Sequence, residues 1–121
     1  MKKKPLPQRV RDQVQERDGL RCVRCGMSLV IQPRHVHHRL PRSGGGEHVL
    51  SNLILLCAKC HATVHNSPRQ AREDGYIVSR YADSASRVPL WYAQAHQVSV
   101  RSRVGWHVIG DDGQLAAWRK T

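Results

Sequence analysis

Phenylalanine is absent from this sequence, and aromatic residues make up only 5% of its 121 residues. With so few large apolar side chains, a chain of this length has difficulty burying a sufficient core by itself. Small domains with this shortage usually depend on disulfides or on a bound metal for stability. We therefore expect one small domain, or one with an appendage, that is held together by such a cross-link.

Long hydrophobic runs are also missing. The basic residues 1–4 are not followed by the apolar stretch of a secretory signal, and no segment reaches the length of a membrane span. These absences predict a cytoplasmic protein without a membrane partner. Because cytosolic conditions disfavour structural disulfides, the cysteines are expected to bind a metal.

Acidic residues are few: 9 Asp and Glu stand against 20 Lys and Arg, which gives a net charge of +11. An excess of this size is typical of proteins that bind polyanions, and it favours nucleic acid as the partner. The other interpretation is a basic protein whose charge serves only solubility. Residues 1–7 contain two prolines and three lysines, and they are expected to form a flexible basic arm that either touches phosphates or remains a solvated tail.

The four cysteines form two C-x-x-C pairs, Cys22 with Cys25 and Cys57 with Cys60. Two such pairs predict one tetrahedral site of four thiolates, and Gly26 permits the tight turn after the first pair. Four thiolates leave no open position for water, so this zinc is expected to be structural. A redox-active C-x-x-C is the alternative, although that motif normally occurs once.

The first half of the chain predicts a helix, two strands and a second helix. The first helix spans 8–18 and ends at Gly19. An extended segment over 30–40 and a buried strand over 53–56 flank a loop rich in Gly, Ser and Pro, and a helix over 58–66 follows.

The C-terminal third predicts a short helix over 68–74, capped by Ser67 with Gln70 in a capping box. An extended segment over 76–81 and an irregular stretch over 82–96 follow it. Alternation then predicts strands over 98–104, 105–109 and 114–118. Trp106 and Trp118 are interpreted as packing residues, and a duplex-binding ribbon is the alternative.

Three histidines are placed to share a metal ion. On the second helix His61 and His65 lie one turn apart, and His37 approaches from the strand before the loop. Three protein ligands leave open positions, as a catalytic metal requires. On a regular strand His38 points to the opposite side from His37, which suits a general base. His35 stays ambiguous between a supporting role and solvent, and surface positions are expected for His48, His96 and His107.

The runs HHRLPRSGGG and SNLILLCAKCHATVH, placed after the first C-x-x-C, resemble the HNH endonuclease family. The resemblance covers about residues 8–66 and is to the zinc-containing branch often encoded by phages. It implies an α+β fold with a small ββα-metal core stapled by the four-cysteine zinc site and a mostly β appendage. The chain then divides into an arm (1–7), a nuclease domain (8–66) and a C-terminal extension (67–121).

Carried over by position, the resemblance implies that His37, His61 and His65 bind the catalytic metal and that His38 is the general base. Asn52 matches the asparagine that holds the imidazole of the base through a backbone or side-chain hydrogen bond. Arg39 departs from the β-branched residue common after the base. Together with Arg24, the candidates for phosphate contacts are Arg34, Arg39, Arg42 and Lys59.

The implied activity is metal-dependent hydrolysis of DNA phosphodiester bonds, with 3′-hydroxyl and 5′-phosphate products. One catalytic divalent cation is implied, which is Mg²⁺, Mn²⁺, Ni²⁺ or Zn²⁺. Phage relatives are often associated with genome packaging, so terminase is an expected partner and the host cytoplasm the expected location. We expect a monomer or a weak dimer. The alternative function is a non-catalytic zinc-knuckle protein that binds DNA or assists packaging.

Overall fold

The computed structural model describes residues 4–82, 84–95 and 103–119. It contains helices and two separate antiparallel sheets, so the expected α+β class is confirmed. In chain order the helices and strands are α1 (Gln8–Arg17), β1 (Arg34–His38), β2 (Leu53–Cys57), α2 (Ala58–Asn66), α3 (Pro68–Glu73), β3 (Leu90–Gln94), β4 (Arg103–Ile109) and β5 (Leu115–Ala117).

The first half follows the predicted order of helix, strand, strand and helix. Helix α1 buries Val10 and Val14, and Gly19 follows it in the left-handed region with φ of 67°. Strand β1 pairs with β2 so that His37 lies opposite Ile54, and every residue of β2 is buried. Helix α2 begins directly after β2, and Sγ of Cys57 caps it by accepting a hydrogen bond from the amide of Cys60.

The second half differs from the prediction in four places. A strand, β3, lies inside the stretch 82–96 that was expected to be irregular, and the stretch 76–81, which was expected to be extended, contains bends and a turn. In α3 the side chain of Ser67 makes no capping hydrogen bond, and the side-chain amide of Gln70 donates to the carboxylate of Asp74 at 3.2 Å. The strands expected separately over 98–104 and 105–109 are not divided at 104 and 105, because β4 runs through both positions. Residues 98–102 lie outside the described residues, as does His96.

Strands β3, β4 and β5 form one sheet in that order. The turn predicted between the last two strands is present, with the amide of Gly113 donating to the carbonyl of Gly110 at 2.8 Å. On one face of this sheet Trp106 lies edge-to-face with Trp91 and Trp118, at centroid distances of 5.5 Å and 6.4 Å. These contacts are consistent with the packing interpretation of Trp106 and Trp118.

One hydrophobic core joins the two halves of the chain. It contains Val14 of α1 and Leu55 of β2 together with Leu90, Tyr92 and Ile109 of the second sheet. The expected boundary at residues 66 and 67 therefore does not separate two cores. Among the described residues no helix has both the length and the apolar character needed to cross a membrane.

Asp18 is a polar junction inside this core. Its carboxylate accepts hydrogen bonds from the backbone amide of Leu55 at 3.0 Å and from the hydroxyl of Tyr92 at 2.7 Å. It also forms a salt bridge of 2.9 Å with Arg17, and the side chain of Gln94 donates to its carbonyl oxygen. A fully buried carboxylate is stable only with such partners, so this residue fixes α1 against β2 and β3.

Candidate metal and catalytic site

The two C-x-x-C pairs meet at one point. The sulfur atoms of the four cysteines lie within 4.8 Å of one another, as expected for Cys22, Cys25, Cys57 and Cys60. Burial raises the pKa of the Cys22 thiol, so a bound cation is needed to keep it as a thiolate. A four-sulfur donor set without a carboxylate fits Zn²⁺.

The first knuckle is fixed between two strands. The amide of Val23 donates to the carbonyl of Leu55 at 3.0 Å, and the amide of Ala93 donates to the carbonyl of Val23 at 2.8 Å. Gly26 has φ of 80°, and a Cβ at this position would lie 2.5 Å from the carbonyl oxygen of Ala93. The close approach of β3 therefore requires glycine here, in addition to the turn that the sequence predicted.

Arg24 was a candidate for phosphate contacts, but its guanidinium donates to Sγ of Cys60 at 3.4 Å. This hydrogen bond to sulfur raises the pKa of Arg24. Donation to a sulfur atom disperses the negative charge of a four-thiolate site, so the position of Arg24 is explained by the four-cysteine cluster.

A second cluster is made by histidines of β1 and α2. The ligand nitrogens of His37, His61 and His65 lie within 4.8 Å of one another, and the Nε2 atoms of His61 and His65 are 3.0 Å apart. The i, i+4 spacing on α2 brings the last two together, and β1 supplies the first. The ring of His35, on the same face of β1 as His37, lies 4.8 Å from that of His61.

His37 is oriented by a backbone carbonyl. Its side chain is buried, and Nε2 lies 2.7 Å from the carbonyl oxygen of Tyr76. Since a carbonyl only accepts, Nε2 carries the hydrogen and Nδ1 keeps the lone pair that a metal needs. Burial lowers the pKa of His37 to about 4, and burial with neighbouring histidines lowers that of His61 to about 4. Both imidazoles are therefore neutral ligands near pH 7.

His38 faces away from this cluster, as the alternation of a strand predicted. Its Nε2 lies 2.9 Å from Nδ1 of His48, and Nε2 of His48 lies 2.9 Å from the carbonyl oxygen of Lys4. Burial lowers the pKa of His38 to about 4, with smaller effects from His48 and Arg42. The expectation that His48 is a plain surface residue was wrong, because it is half-buried and bonded on both nitrogens.

The loop before His48 folds back because of its glycines. Gly45 has φ of 95°, and a Cβ on Gly46 would lie 1.8 Å from the carbonyl oxygen of Leu40. Only glycine permits so close an approach. The GGG run therefore predicts a sharp reversal of the chain. It does not identify His48 as the residue that this reversal brings next to His38.

Asn52 makes no hydrogen bond to the imidazole of His38 through either its backbone or its side chain, contrary to the role that the resemblance implied. Its buried amide accepts from the backbone amide of Leu40 at 2.7 Å and donates to the carbonyls of Leu40 and Glu47 at 3.2 Å and 3.1 Å. Its own carbonyl accepts from the amide of Arg39 at 2.8 Å. Asn52 thus clamps the backbone that follows His38, because a buried amide must satisfy its donors and acceptor.

Arg39 was expected to contact phosphate, and the structure contradicts this because its side chain is 0% exposed. The guanidinium donates to four backbone carbonyls, those of Gly75 at 2.9 Å, Ser51 at 2.9 Å, Ala85 at 3.1 Å and Val88 at 2.6 Å. Burial lowers its pKa to about 10, which leaves it charged at neutral pH. The departure from the family pattern at this position thus marks a structural residue.

The other phosphate candidates differ in accessibility. Arg34 and Lys59 are exposed, although Arg34 also donates to the carbonyl of Leu29 at 2.8 Å. Arg42 is half-buried and donates to the carbonyl of Lys4. Lys4 belongs to the arm that was expected to be flexible, so at least its carbonyl is tied to the loop that carries His48.

Residues 22–67 match the HNH endonuclease family model. The matched segment begins at the first knuckle cysteine, ends just after α2, and contains all four cysteines and all three clustered histidines. For this segment, the resemblance to the HNH endonuclease family is thereby confirmed. No curated protein and no solved structure matches the chain at a significant level.

Proposed function

Because residues 22–67 are an HNH endonuclease domain, we propose that this protein is a metal-dependent endonuclease that hydrolyses phosphodiester bonds of DNA. The observation that carries the proposal is the arrangement on β1. The neighbouring histidines His37 and His38 point to opposite sides of this strand. His37 belongs to the three-histidine cluster, whereas the imidazole of His38 lies outside that cluster. The net charge of +11 supports a polyanionic substrate.

His37, His61 and His65 would hold the catalytic divalent cation, and a donor set made only of imidazoles fits a transition metal while leaving positions for oxygen ligands. Bound there, the cation would supply Lewis-acid stabilisation of the charge that develops on phosphate oxygens. Mg²⁺, Mn²⁺, Ni²⁺ and Zn²⁺ are the candidates. The four-cysteine site would hold a separate structural Zn²⁺.

In this mechanism His38 takes a proton from the water that attacks phosphorus. The new P–O bond forms as the bond to the 3′ oxygen breaks, and the departing oxygen takes a proton from solvent, so the products are a 3′-hydroxyl and a 5′-phosphate. The proton goes to Nδ1, since Nε2 faces His48. Asn52 would act indirectly, by holding the backbone of residues 39 and 40 next to the base. Exposed Arg34 and Lys59 are the remaining candidates for phosphate contacts.

A plasmid-cleavage assay tests the proposal. Zinc-loaded protein, verified by elemental analysis, is assayed without other metals and then with Mg²⁺, Mn²⁺, Ni²⁺ or added Zn²⁺. Wild type is expected to nick or linearise the plasmid with at least one cation, and His38→Ala is expected to lose this activity while it still binds DNA. His107→Ala is the matched control, because its imidazole lies on β4 away from both clusters. Cleavage by His38→Ala at the wild-type rate would show that His38 is not the base.

The same assay separates the nuclease from the alternative, a non-catalytic zinc-knuckle protein that binds DNA or assists packaging. Salt-sensitive DNA binding without cleavage under any of the four cations would favour that alternative. The form of the product adds information on stoichiometry, since one active site cuts one strand. A monomer is expected to nick, and a weak dimer to linearise at high protein concentration.

From the resemblance to phage-encoded proteins alone, we further propose that the enzyme assists phage genome packaging in the host cytoplasm, with terminase as its partner. Co-purification of the tagged chain with terminase subunits from infected cells tests this. Cleavage without such an association would leave the nuclease assignment intact and remove the packaging role.

A further inference from the structure

A chain of hydrogen bonds leads from His38 to the backbone near the N-terminus. Nε2 of His38 lies 2.9 Å from Nδ1 of His48, and Nε2 of His48 lies 2.9 Å from the carbonyl oxygen of Lys4. A carbonyl oxygen only accepts, so the hydrogen of His48 is on Nε2. In a neutral imidazole the other nitrogen is then an acceptor, and Nδ1 of His48 receives the hydrogen of His38 Nε2–H.

We propose that His48 is a positioning residue that fixes both the tautomer and the ring orientation of His38, and that the Lys4 carbonyl sets the direction of the hydrogen-bond chain. The proposal rests on the role of His38 as the base. With Nε2 committed as a donor, Nδ1 is the nitrogen left to receive a proton. Across residues 4–82, 84–95 and 103–119 the ring of His38 makes a single hydrogen bond, the one to His48.

Two anchors hold His48 in place. The buried amide of Asn52 donates to the carbonyl of Glu47, the residue just before it, at 3.1 Å. On the other side, the Lys4 carbonyl accepts from both His48 and Arg42. The loop that carries His48 is therefore fixed by Asn52 on one side and by the N-terminal segment on the other, as a positioning residue requires.

The N-terminal segment thereby gains a role beyond its positive charge. Because the contact is made by a backbone carbonyl, it depends on the presence of the segment and not on the lysine side chain. This distinguishes it from a solvated tail and from an arm that only touches phosphates, both of which were expectations from the sequence.

The test compares His48→Phe, which keeps the ring shape without nitrogens, with His48→Asn, whose amide oxygen replaces the Nδ1 acceptor. Long-range nitrogen-edited NMR of zinc-loaded protein in Mg²⁺ buffer reports which nitrogen of His38 carries hydrogen. We expect hydrogen on Nε2 in wild type and in His48→Asn, and mixed tautomers in His48→Phe. On plasmid DNA we expect kcat of His48→Phe to fall about 10- to 100-fold, with KM within about twofold.

Hydrogen on Nδ1 of His38 in wild type would overturn the proposal, and so would a His48→Phe variant with the wild-type tautomer and kcat. If no form of the protein cleaves DNA, the proposed function fails while the NMR result still decides the role of His48. If His48→Phe does not fold, deletion of residues 1–5 is compared with Lys4→Ala. The deletion removes the acceptor and is expected to mix the tautomers, whereas Lys4→Ala keeps the carbonyl and the wild-type pattern; identical spectra for both would overturn the proposal.

Discussion

Nε2 of His37 lies 2.7 Å from the carbonyl oxygen of Tyr76, a residue beyond the segment that matches the family model. The hydroxyl of Tyr76 in turn donates to the carbonyl of Trp91 at 2.6 Å, on the first strand of the second sheet. One proposed metal ligand is thus oriented by the C-terminal part of the chain. In this protein the C-terminal part supports the site directly, so substitutions there are expected to alter metal binding.

Gly75, which precedes Tyr76, is the position where this support is most sensitive. It has φ of 83°, and a Cβ would lie 2.1 Å from the carbonyl oxygen of Pro89. We expect Gly75→Ala to lower the free energy of unfolding by more than about 3 kcal/mol, since the left-handed conformation and the backbone clash act together. Urea denaturation monitored by circular dichroism measures this.

Gly45→Ala is the matched control for Gly75→Ala. Gly45 also has a positive φ, of 95°, but a Cβ there meets nothing within 4 Å. Only the conformational cost applies, about 1 kcal/mol. Equal destabilisation by the two variants would show that the approach of Pro89 to Gly75 is not rigid.

Arg39 is expected to stabilise the fold and not to bind DNA. Arg39→Met keeps an unbranched side chain but leaves four carbonyls without their donor, and we expect a loss of about 3–5 kcal/mol in the free energy of unfolding. Arg34→Ala removes an exposed cation and is expected to change stability by less than about 0.5 kcal/mol. In DNA titrations at several salt concentrations, Arg34→Ala should instead reduce the salt slope by about 1. The reverse pattern would restore Arg39 as a phosphate contact.

The features that could be predicted from the sequence are those set by local spacing. The i, i+4 histidines of α2, the opposite orientations of His37 and His38, and the two C-x-x-C pairs all follow from helix, strand and knuckle geometry. The roles of Arg39 and His48 could not be predicted. Their hydrogen-bond partners lie 10 to 49 residues away along the chain. Without knowledge of those partners, a charged or polar residue is predicted to be exposed.

Strand β3 was missed for a related reason. Leu90, Tyr92 and Gln94 alternate with outward residues, which is the pattern of a half-buried strand. Gln94 is polar, so the alternation has only two apolar positions, and the ADSAS run and Pro89 just before it favour an irregular stretch. Its side chain is nonetheless buried, because it donates to the carbonyls of Asp18 and Arg21 at 2.8 Å and 3.1 Å. Polarity alone predicts that Gln94 is exposed, but tertiary hydrogen bonds allow it to be buried.

The two metal clusters are expected to respond differently to loss of a ligand. Cys57→Ser should lose zinc and unfold, because metal binding at a four-thiolate site contributes directly to folding. His65→Ala should keep the zinc and the fold, since His65 is exposed, while binding Mn²⁺ or Ni²⁺ at least about 10-fold more weakly. Elemental analysis, circular dichroism and calorimetric titration measure these effects. Unchanged Mn²⁺ and Ni²⁺ affinity in His65→Ala would remove that residue from the site.

Acidification is expected to destabilise the protein through His37. Burial lowers its pKa to about 4 in the folded state, below the value of about 6.5 in an unfolded chain. Between these two pH values the unfolded chain binds more protons, so stability is lost as the pH falls. For this group we expect a loss of about 2 kcal/mol between pH 7 and pH 5, which His37→Gln removes because glutamine does not titrate.

The measurement is urea unfolding at both pH values, in buffers without free divalent cations, on protein that holds one zinc per chain by elemental analysis. The four-cysteine cluster and His61 also respond to acid, but wild type and His37→Gln share them, so the difference between the two proteins isolates His37. His107→Gln controls for loss of an imidazole outside the cluster. The stability advantage of wild type over His37→Gln should shrink on going from pH 7 to pH 5. A constant advantage would mean that His37 is not held neutral by burial and would weaken its assignment as a ready metal ligand.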